Sequence, residues 1–376
     1  MIKLICYTYI IVLLILTLVE IILKRNIKLK IGISFFLVLG IIMGANIKNP
    51  DTFIYEKYIY YNNEFFAKDF GFGILVQLFK NFNLTYYHLK MFVTIVGFIL
   101  INHTLKRYIK DYKFLLFLYI IYPFFYDVVQ VRNFLAMSIF IFALPYLLEK
   151  SKSGNIKYII SILIAATMQK TALVYLPIIF INKLEKKKFI KAILIIVIFI
   201  SILISIVKPI FNVFVNILIN NISMYLDGIS SKLVISTNYG WIIQWIIQFM
   251  NYYFVTTSFK YIKEEYETEN MSVSASKNIK FTQLIININL YMFIFLPLYI
   301  LTPTFNRIPR NIYLLNFIVY SFVYNIRNKK NKYNRLVYCI ILSHIVFYIL
   351  QYVILNQTYF TEMVQPILNE NWIFFL

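Results

Sequence analysis

The sequence is poor in the residue types on which several classes of protein depend. Among its 376 residues it has only two cysteines, three histidines and nine glycines. The cysteines form no C-x-x-C pair and the histidines form no H-E-x-x-H motif. A glycine-rich phosphate loop and a G-x-S-x-G elbow are also missing. These absences exclude a disulfide scaffold and the common zinc and serine-hydrolase motifs, and we expect neither a metal site nor a cofactor.

Charge is scarce too, at 14% of residues, whereas 61% are hydrophobic and the mean hydropathy is +0.73. A soluble domain has about 25% charged and 45–50% apolar residues. We therefore predict an all-α, polytopic integral membrane bundle that forms a single transmembrane domain over residues 1–376. The lengths of the apolar runs predict about 11–13 membrane segments, including short or re-entrant helices, around a cavity at the outer face.

The charge that is present is mainly basic and gives a net charge of +21. A nucleic-acid partner would account for such an excess, but 25 of the 37 basic residues lie in six short segments between apolar runs. The positive-inside rule predicts that these segments are cytoplasmic. We therefore expect the lipid bilayer, and no nucleic acid, as a partner. The segments are residues 24–30, 105–113, 149–157, 183–191, 260–280 and 327–335.

Two longer polar segments have different characters. Residues 47–73 are nearly charge-balanced and are predicted to form an outer loop. Within it, Asp51, Tyr55 and Tyr58 follow the i, i+4, i+7 spacing of an amphipathic helix with one aromatic and polar face. Residues 260–280 are hydrophilic and rich in serine, which predicts a flexible cytoplasmic loop.

The apolar run Tyr158–Asn182 has the length of one span, yet basic segments flank both of its ends. The positive-inside rule places both flanks on one side, so the run is predicted to be a hairpin of two short helices. Its turn is expected at Met168–Lys170, because a lone lysine in mid-bilayer would cost about 2.5–3.5 kcal/mol or more.

Four notable basic residues lie on the predicted outer side, against the positive-inside bias. The planar guanidinium group binds phosphate oxygens in a bidentate manner, so these residues could together hold a pyrophosphate. The simpler interpretation is that each one snorkels or pairs with an outer carboxylate such as Asp127 or Asp51. The four residues are Arg132, Lys170, Arg307 and Arg310.

Arg132 opens an otherwise apolar helix within Asp127–Leu147. An arginine at the end of a membrane span usually faces a water-filled cavity or a partner. From their closeness in sequence, we expect Asp127, Gln130 and Asn133 to form a polar cluster with it.

Five short motifs occur along the chain in an order that resembles the EpsG/Wzy-type family of bacterial polysaccharide polymerases. Each motif is short, and only their combination is specific. They are N-P-D-T-x-x-Y-x-x-Y at Asn49–Tyr58, a Phe-Gly segment at Phe70–Gly73, V-x-x-R-x-x-x-A at Val129–Ala136, MQKTALVYLP at Met168–Pro177 and FNRIPRNIY at Phe305–Tyr313.

The resemblance implies a glycosyltransferase that polymerises polyprenyl-pyrophosphate-linked oligosaccharide repeat units into capsule, O-antigen or exopolysaccharide. It further implies a multi-pass protein of the bacterial inner or plasma membrane with a periplasmic or extracellular active face. Its partners would be the lipid-linked oligosaccharides, together with a flippase and a chain-length regulator.

The same resemblance implies roles for residues of the outer side. In this interpretation the catalytic residues are Arg132, Asp51 as base, Gln169 and Lys170, and Arg307 and Arg310 join Arg132 at the pyrophosphate. The remaining substrate-binding candidates are Tyr55, Tyr58, Asp127, Gln130 and Asn133.

Gln169 departs from the family pattern, because similar proteins commonly have histidine there. An amide does not titrate, so Gln169 cannot act as a base at pH 7. The base is then Asp51 or Asp127, or position 169 only forms hydrogen bonds to substrate, or this copy is impaired. Two other functions also stay open: a lipid-linked oligosaccharide flippase or other transporter, and a polyprenyl-phosphate-sugar glycosyltransferase.

Overall fold

The computed structural model describes most of the chain, and the account below concerns that part alone. It covers residues 2–22, 32–56, 69–149, 151–181, 192, 195–197, 199–200, 203, 240–268, 273–301, 303–354 and 357–375. The predicted contact residue Tyr58 lies outside it, together with the rest of residues 57–68 of the predicted outer loop.

The described residues form helices joined by short turns, and they contain no β-strand beyond an isolated bridge between Asn46 and Asn371. Helices satisfy every backbone polar group within the segment, which an apolar surrounding requires. The longer ones are α1 (Ile2–Ile22), α2 (Gly32–Gly44), α3 (Phe70–Asn81), α4 (Tyr86–Leu105), α5 (Lys113–Ile121), α6 (Phe124–Val129), α7 (Val131–Leu148), α8 (Lys152–Met168), α9 (Gly240–Thr268), α10 (Val273–Met292), α11 (Tyr313–Ile326) and α12 (Asn331–Ile349).

Four of the described helical stretches are long and apolar enough to cross a membrane. This confirms the prediction of an all-α, polytopic membrane protein; the outer-face cavity stays a prediction. Shorter helices such as α3, with 12 residues, pack between the long ones. The four stretches are Tyr86–Leu105, Val131–Leu148, Ser276–Tyr299 and Asn331–Tyr352.

Basic side chains collect at two opposite ends of the bundle. Helix α7 has Arg132 at its first turn and is followed by Glu149, and α11 begins after Arg310 and is followed by Arg327. Both helices therefore run from one end to the other. We call the first the arginine end, defined by Arg132, Arg307 and Arg310, and the second the lysine-rich end, defined by Arg107, Lys277, Lys280 and Arg327.

A buried charge network ties α1 to the rest of the bundle at the lysine-rich end. Lys113 and Glu20 form an ion pair, and their side chains are only 2% and 1% exposed. The Tyr324 hydroxyl donates to the second carboxylate oxygen of Glu20 at 2.8 Å. Arg327 lies 3.7 Å from the centroid of the Tyr324 ring. Because a buried charge is costly without a partner, this network holds three helices in one arrangement.

The structure differs from the predicted loop at residues 260–280. Helix α9 continues to Thr268 and α10 begins at Val273, so most of the segment is helical. Ion pairs stabilise the extension: Glu264 accepts from Lys332 at 2.6 Å and from Lys330 at 3.0 Å. These hydrogen bonds lower the pKa of the Glu264 carboxyl. The segment is polar, as its composition indicated, but its polar residues lie on the surface of helices and not in a loop.

The predicted turn at Met168–Lys170 is present. Helix α8 ends at Met168, Gln169 has an extended backbone, and a 3-10 helix follows over Lys170–Tyr175. The Tyr158 hydroxyl donates to the Tyr175 carbonyl at 2.7 Å. In a continuous helix these two residues would be about 25 Å apart, at 1.5 Å per residue. The chain therefore reverses at Gln169.

Candidate functional site

Arg132 is the second residue of α7, directly after a break in the helix at Gln130. Its guanidinium forms an ion pair with Asp69 and donates from Nε to the Tyr55 hydroxyl at 3.3 Å. It also lies 5.5 Å from the centroid of the Tyr55 ring. A cation at a helix N-terminus is opposed by the helix dipole, and the Asp69 carboxylate offsets this. The Arg132 side chain is 19% exposed, so it is fixed by these partners but is still accessible to solvent.

Asp69 is a site residue that the sequence interpretation missed. One of its oxygens pairs with Arg132, and the other accepts from the backbone N–H of Lys170 at 3.0 Å. One carboxylate thus joins the start of α7 to the turn after α8. The sequence offered only a weak signal: Asp69 directly precedes the Phe-Gly motif, but the same loop holds three other acidic residues, Asp51, Glu56 and Glu64.

A close helix contact holds Asp69 in place. Gly71 lies in the first turn of α3, where a Cβ atom would be 2.2 Å from Thr167 Oγ1 and 2.7 Å from Thr167 Cβ. Only glycine permits this approach of α3 to the end of α8. The Phe-Gly motif therefore has a packing reason, which is to dock Asp69 against the Lys170 turn.

Tyr55 supports Arg132 from a buried position. Its ring stacks on Tyr86 at 5.6 Å and meets Phe72 edge to face at 6.4 Å, and the residue is only 4% exposed. The side chain is thereby fixed with its hydroxyl at Arg132. If Tyr55 contacts a sugar, as predicted, only its hydroxyl group is in a position to do so.

The second half of the site is built around Arg310. This residue is 3% exposed, donates to the side-chain oxygen of Gln130 and lies 4.8 Å from the centroid of the Tyr126 ring. Its Nε is buried and has no hydrogen-bond partner among the described residues. A buried donor without an acceptor costs free energy, so binding of an acceptor group next to Arg310 Nε would be favourable.

The polar residues near Arg132 in sequence are not arranged as expected. Gln130 accepts from Arg310, and Asn133 exchanges two hydrogen bonds with Asn311 at 2.9 and 3.0 Å. Asp127 is fully buried and accepts from the Tyr119 hydroxyl at 2.9 Å. The expected single cluster is therefore wrong in its contacts, since Gln130 and Asn133 contact the Arg310 segment and Asp127 contacts Tyr119. Arg132 and Asn133 lie in the same helix, where neighbouring side chains point about 100° apart, so Asn133 faces the Arg310 segment while Arg132 faces Asp69.

Arg307 lies between the two halves and is partly exposed. Burial lowers the pKa of its guanidinium and the charge of Arg310 acts in the same direction, whereas Asp51 and Tyr55 oppose them. The charge of Arg132 also lowers this pKa, so both of the other arginines act on Arg307. Asp51, which also acts on Arg307, is half-buried.

Tyr175 connects the Lys170 turn to the Arg310 segment. Its hydroxyl donates to the Ile308 carbonyl at 3.0 Å and accepts from Asn311 at 2.9 Å. Through Asn311 the network continues to Asn133 on α7. Three of the sequence motifs thus meet in one hydrogen-bonded network at the arginine end, and this could not be read from their separate positions.

Gln169 and Lys170 lie beside the arginines at the turn. The Gln169 carbonyl accepts from the Ala172 N–H at 2.9 Å, which starts the 3-10 helix, and its side chain is half-buried. Lys170 is exposed. The backbone position of both residues is therefore set by Asp69 and by this turn, while their predicted catalytic roles stay predictions.

This geometry predicts that position 169 is reached by reagents from the side opposite the lysine-rich end. A Gln169→Cys variant, made with the exposed Cys339 changed to serine, should react with a membrane-impermeant thiol reagent added outside intact cells. A matched Lys280→Cys variant should react only after the cytoplasmic side is opened. Labelling of position 169 from the cytoplasmic side alone would contradict the predicted hairpin orientation.

The fold and the site together define a polytopic helical membrane protein with a cationic site at one end of its bundle. Comparison with protein-family models matches residues 29–363 to the EpsG family. The protein therefore belongs to the EpsG family, which confirms the resemblance seen in the motifs. Comparison with curated proteins and with solved structures gives no match.

Proposed function

We propose that this protein polymerises polyprenyl-pyrophosphate-linked oligosaccharide repeat units into a surface polysaccharide. Membership of the EpsG family supports a role in polysaccharide polymerisation. The observation that carries the specific reaction is the joining of the Arg132 and Arg310 segments by the two Asn133–Asn311 hydrogen bonds, at the end opposite the lysine-rich end. In this proposal the bundle lies in the bacterial inner or plasma membrane, and the arginine end faces the periplasm or the exterior.

The three arginines would bind the pyrophosphate and stabilise the charge that develops on it as it leaves. Guanidinium groups suit this task because each presents a rigid fork of donors to phosphate oxygens. Donors that are already in position stabilise the charge that develops in the transition state, and such electrostatic stabilisation is usually the largest single contribution to catalysis. Asp69 and Tyr55 preorganise Arg132, while Gln130 and Tyr126 preorganise Arg310. Lys170, at the exposed turn, would assist.

The acceptor hydroxyl needs a group that takes its proton. Asp127 accepts from the Tyr119 hydroxyl and acts electrostatically on that tyrosine, so it already has a partner within the bundle. Asp51 is half-buried and acts electrostatically on Arg307 and Arg132, which supports it as the candidate base. Of the two carboxylates that the sequence offered, we assign Asp51 as the base, with Gln169 as a hydrogen-bond partner of the sugar.

The proposal is tested by the length distribution of surface polysaccharide in a strain that lacks the protein, on a gel that resolves single repeat units. The ladder of long chains should collapse to one capped repeat unit, because unit synthesis and export continue without polymerisation. Reintroducing the wild-type chain should restore the ladder. Loss of all surface glycan, with lipid-linked units accumulating on the cytoplasmic face, would instead identify a flippase.

A further inference from the structure

A second charged site lies at the lysine-rich end, far from the proposed polymerisation site. It is a cavity of about 330 Å³ between the ends of α4 and α7 and the start of α10. This volume is at the lower end of the roughly 300–1,000 Å³ range of small-ligand sites. Its walls include Arg107, Tyr108, Leu148, Glu149, Lys277 and Lys280.

The position of the cavity along the bundle is fixed by the membrane-spanning stretches around it. The span that begins at Tyr86 ends at Leu105, and the span Val131–Leu148 ends beside Glu149. A third span begins at Ser276, on the opposite wall. Three of the four described spans therefore change from apolar to polar at this level. That is where the hydrocarbon core gives way to lipid headgroups.

The charges of the cavity suit an anion. Three cations, Arg107, Lys277 and Lys280, face one carboxylate, Glu149. Lys277 is held in place, because its Nζ donates to the Arg107 carbonyl at 3.0 Å and lies 4.9 Å from the Tyr108 ring centroid. Arg107 itself is oriented by a 2.7 Å contact with His103. The cationic wall is thus partly preorganised, which lowers the entropy lost on binding.

We propose that this cavity binds the phosphate of an anionic membrane phospholipid. Basic pockets between transmembrane helices on the cytoplasmic side are suited to such headgroups. The apolar wall at Pro145 and Leu148 would contact the first carbons of the acyl chains. Glu149 would accept a hydrogen bond from a headgroup hydroxyl, so a phosphatidylglycerol is the fitting probe. This proposal is independent of the polymerisation chemistry at the arginine end.

Native mass spectrometry of the purified full-length chain in detergent measures this binding directly. The probes are dihexanoyl phosphatidylglycerol, dihexanoyl phosphatidylcholine and inorganic phosphate. We expect phosphatidylglycerol to bind at least about tenfold more tightly than phosphatidylcholine, because only its net negative charge is attracted by the cations. Inorganic phosphate should bind more weakly than phosphatidylglycerol, since it has no acyl chain. Equal binding of the two lipids would overturn the proposal, and phosphate binding as tightly as the lipid would show a site for the free anion.

Two charge-matched variants locate the site. Changing the three cavity cations Arg107, Lys277 and Lys280 to glutamine should weaken phosphatidylglycerol binding by about tenfold or more. The control removes three basic side chains from the same end that do not line the cavity, in Lys106→Gln, Lys110→Gln and Lys152→Gln.

The control variant should bind within about twofold of the wild type, because these side chains do not line the cavity and water and salt screen their charges from a bound headgroup. Equal loss in both variants would show a general surface charge effect and would refute the cavity. A Lys280→Gln single variant guards against misfolding of the triple variant, since Lys280 is exposed. It should weaken binding by a smaller factor while leaving the melting temperature unchanged.

Discussion

Replacing Arg132 with alanine is expected to abolish long polysaccharide while the protein still inserts in the membrane. Arg132 is one of the three arginines that would take up the charge of the leaving pyrophosphate, and removing one such donor costs about 10²–10³-fold in rate. Arg132→Lys should also be strongly impaired, because an ammonium group keeps the charge but loses the planar fork. The measurement is the repeat-unit ladder from cells whose membranes contain normal amounts of each variant.

The control for Arg132 is Arg335→Ala. Arg335 also lies in the first turns of an apolar helix, α12, but it is exposed and belongs to the lysine-rich end. This variant should give a normal ladder. A normal ladder from Arg132→Ala as well would remove Arg132 from the proposed mechanism.

Asp69→Asn tests whether Asp69 acts through Arg132. Asparagine can still accept the Lys170 N–H, but it no longer offers a charge to the guanidinium. We expect shorter chains than in the wild type. The double variant with Arg132→Ala should look like Arg132→Ala alone, because residues of one interacting pair are not additive.

The second large effect is expected from Gly71→Ala. A new methyl group would lie 2.2 Å from Thr167 Oγ1, so α3 must move away from the end of α8. Overpacking of this kind costs about 1–3 kcal/mol. Because Asp69 lies two residues earlier and pairs with Arg132, the same displacement should disturb the site. A lowered melting temperature in detergent and a shortened ladder are the two measurements.

Gly40→Ala is the matched control for Gly71→Ala. Gly40 lies within α2, and a Cβ atom there would be no closer than 3.9 Å to Phe98. Alanine fits that space and is favoured over glycine in a helix by about 0.5–1 kcal/mol. We therefore expect an unchanged or slightly raised melting temperature and a normal ladder. If both glycine variants behaved alike, the close contact at Thr167 would not explain the motif.

Much of the helical architecture follows from local patterns in the sequence. The apolar helix predicted within Asp127–Leu147 is present as Val131–Leu148, and the turn predicted at Met168–Lys170 is present. Both were predicted from local features of the chain. The helix follows from the length of an apolar run, and the turn follows from a lysine that would be costly at the centre of the bilayer. The prediction of a flexible loop at 260–280 was wrong, because a polar composition does not by itself indicate a flexible backbone. Its carboxylates are instead paired with lysines of another segment, which stabilise a helix.

The sequence by itself determined the class of the protein, its family and the arginines on which the proposed chemistry rests. Composition, periodicity and short motifs are properties of the chain alone, so they need no knowledge of packing. Only the tertiary structure decided which side chains hold those arginines. Asp69 pairs with Arg132 across 63 residues, and Asn133 pairs with Asn311 across 178. Such pairs depend on how helices dock, as Gly71 docks on Thr167. Even the neighbours Arg132 and Asn133 have partners on different segments, because successive side chains of a helix point about 100° apart.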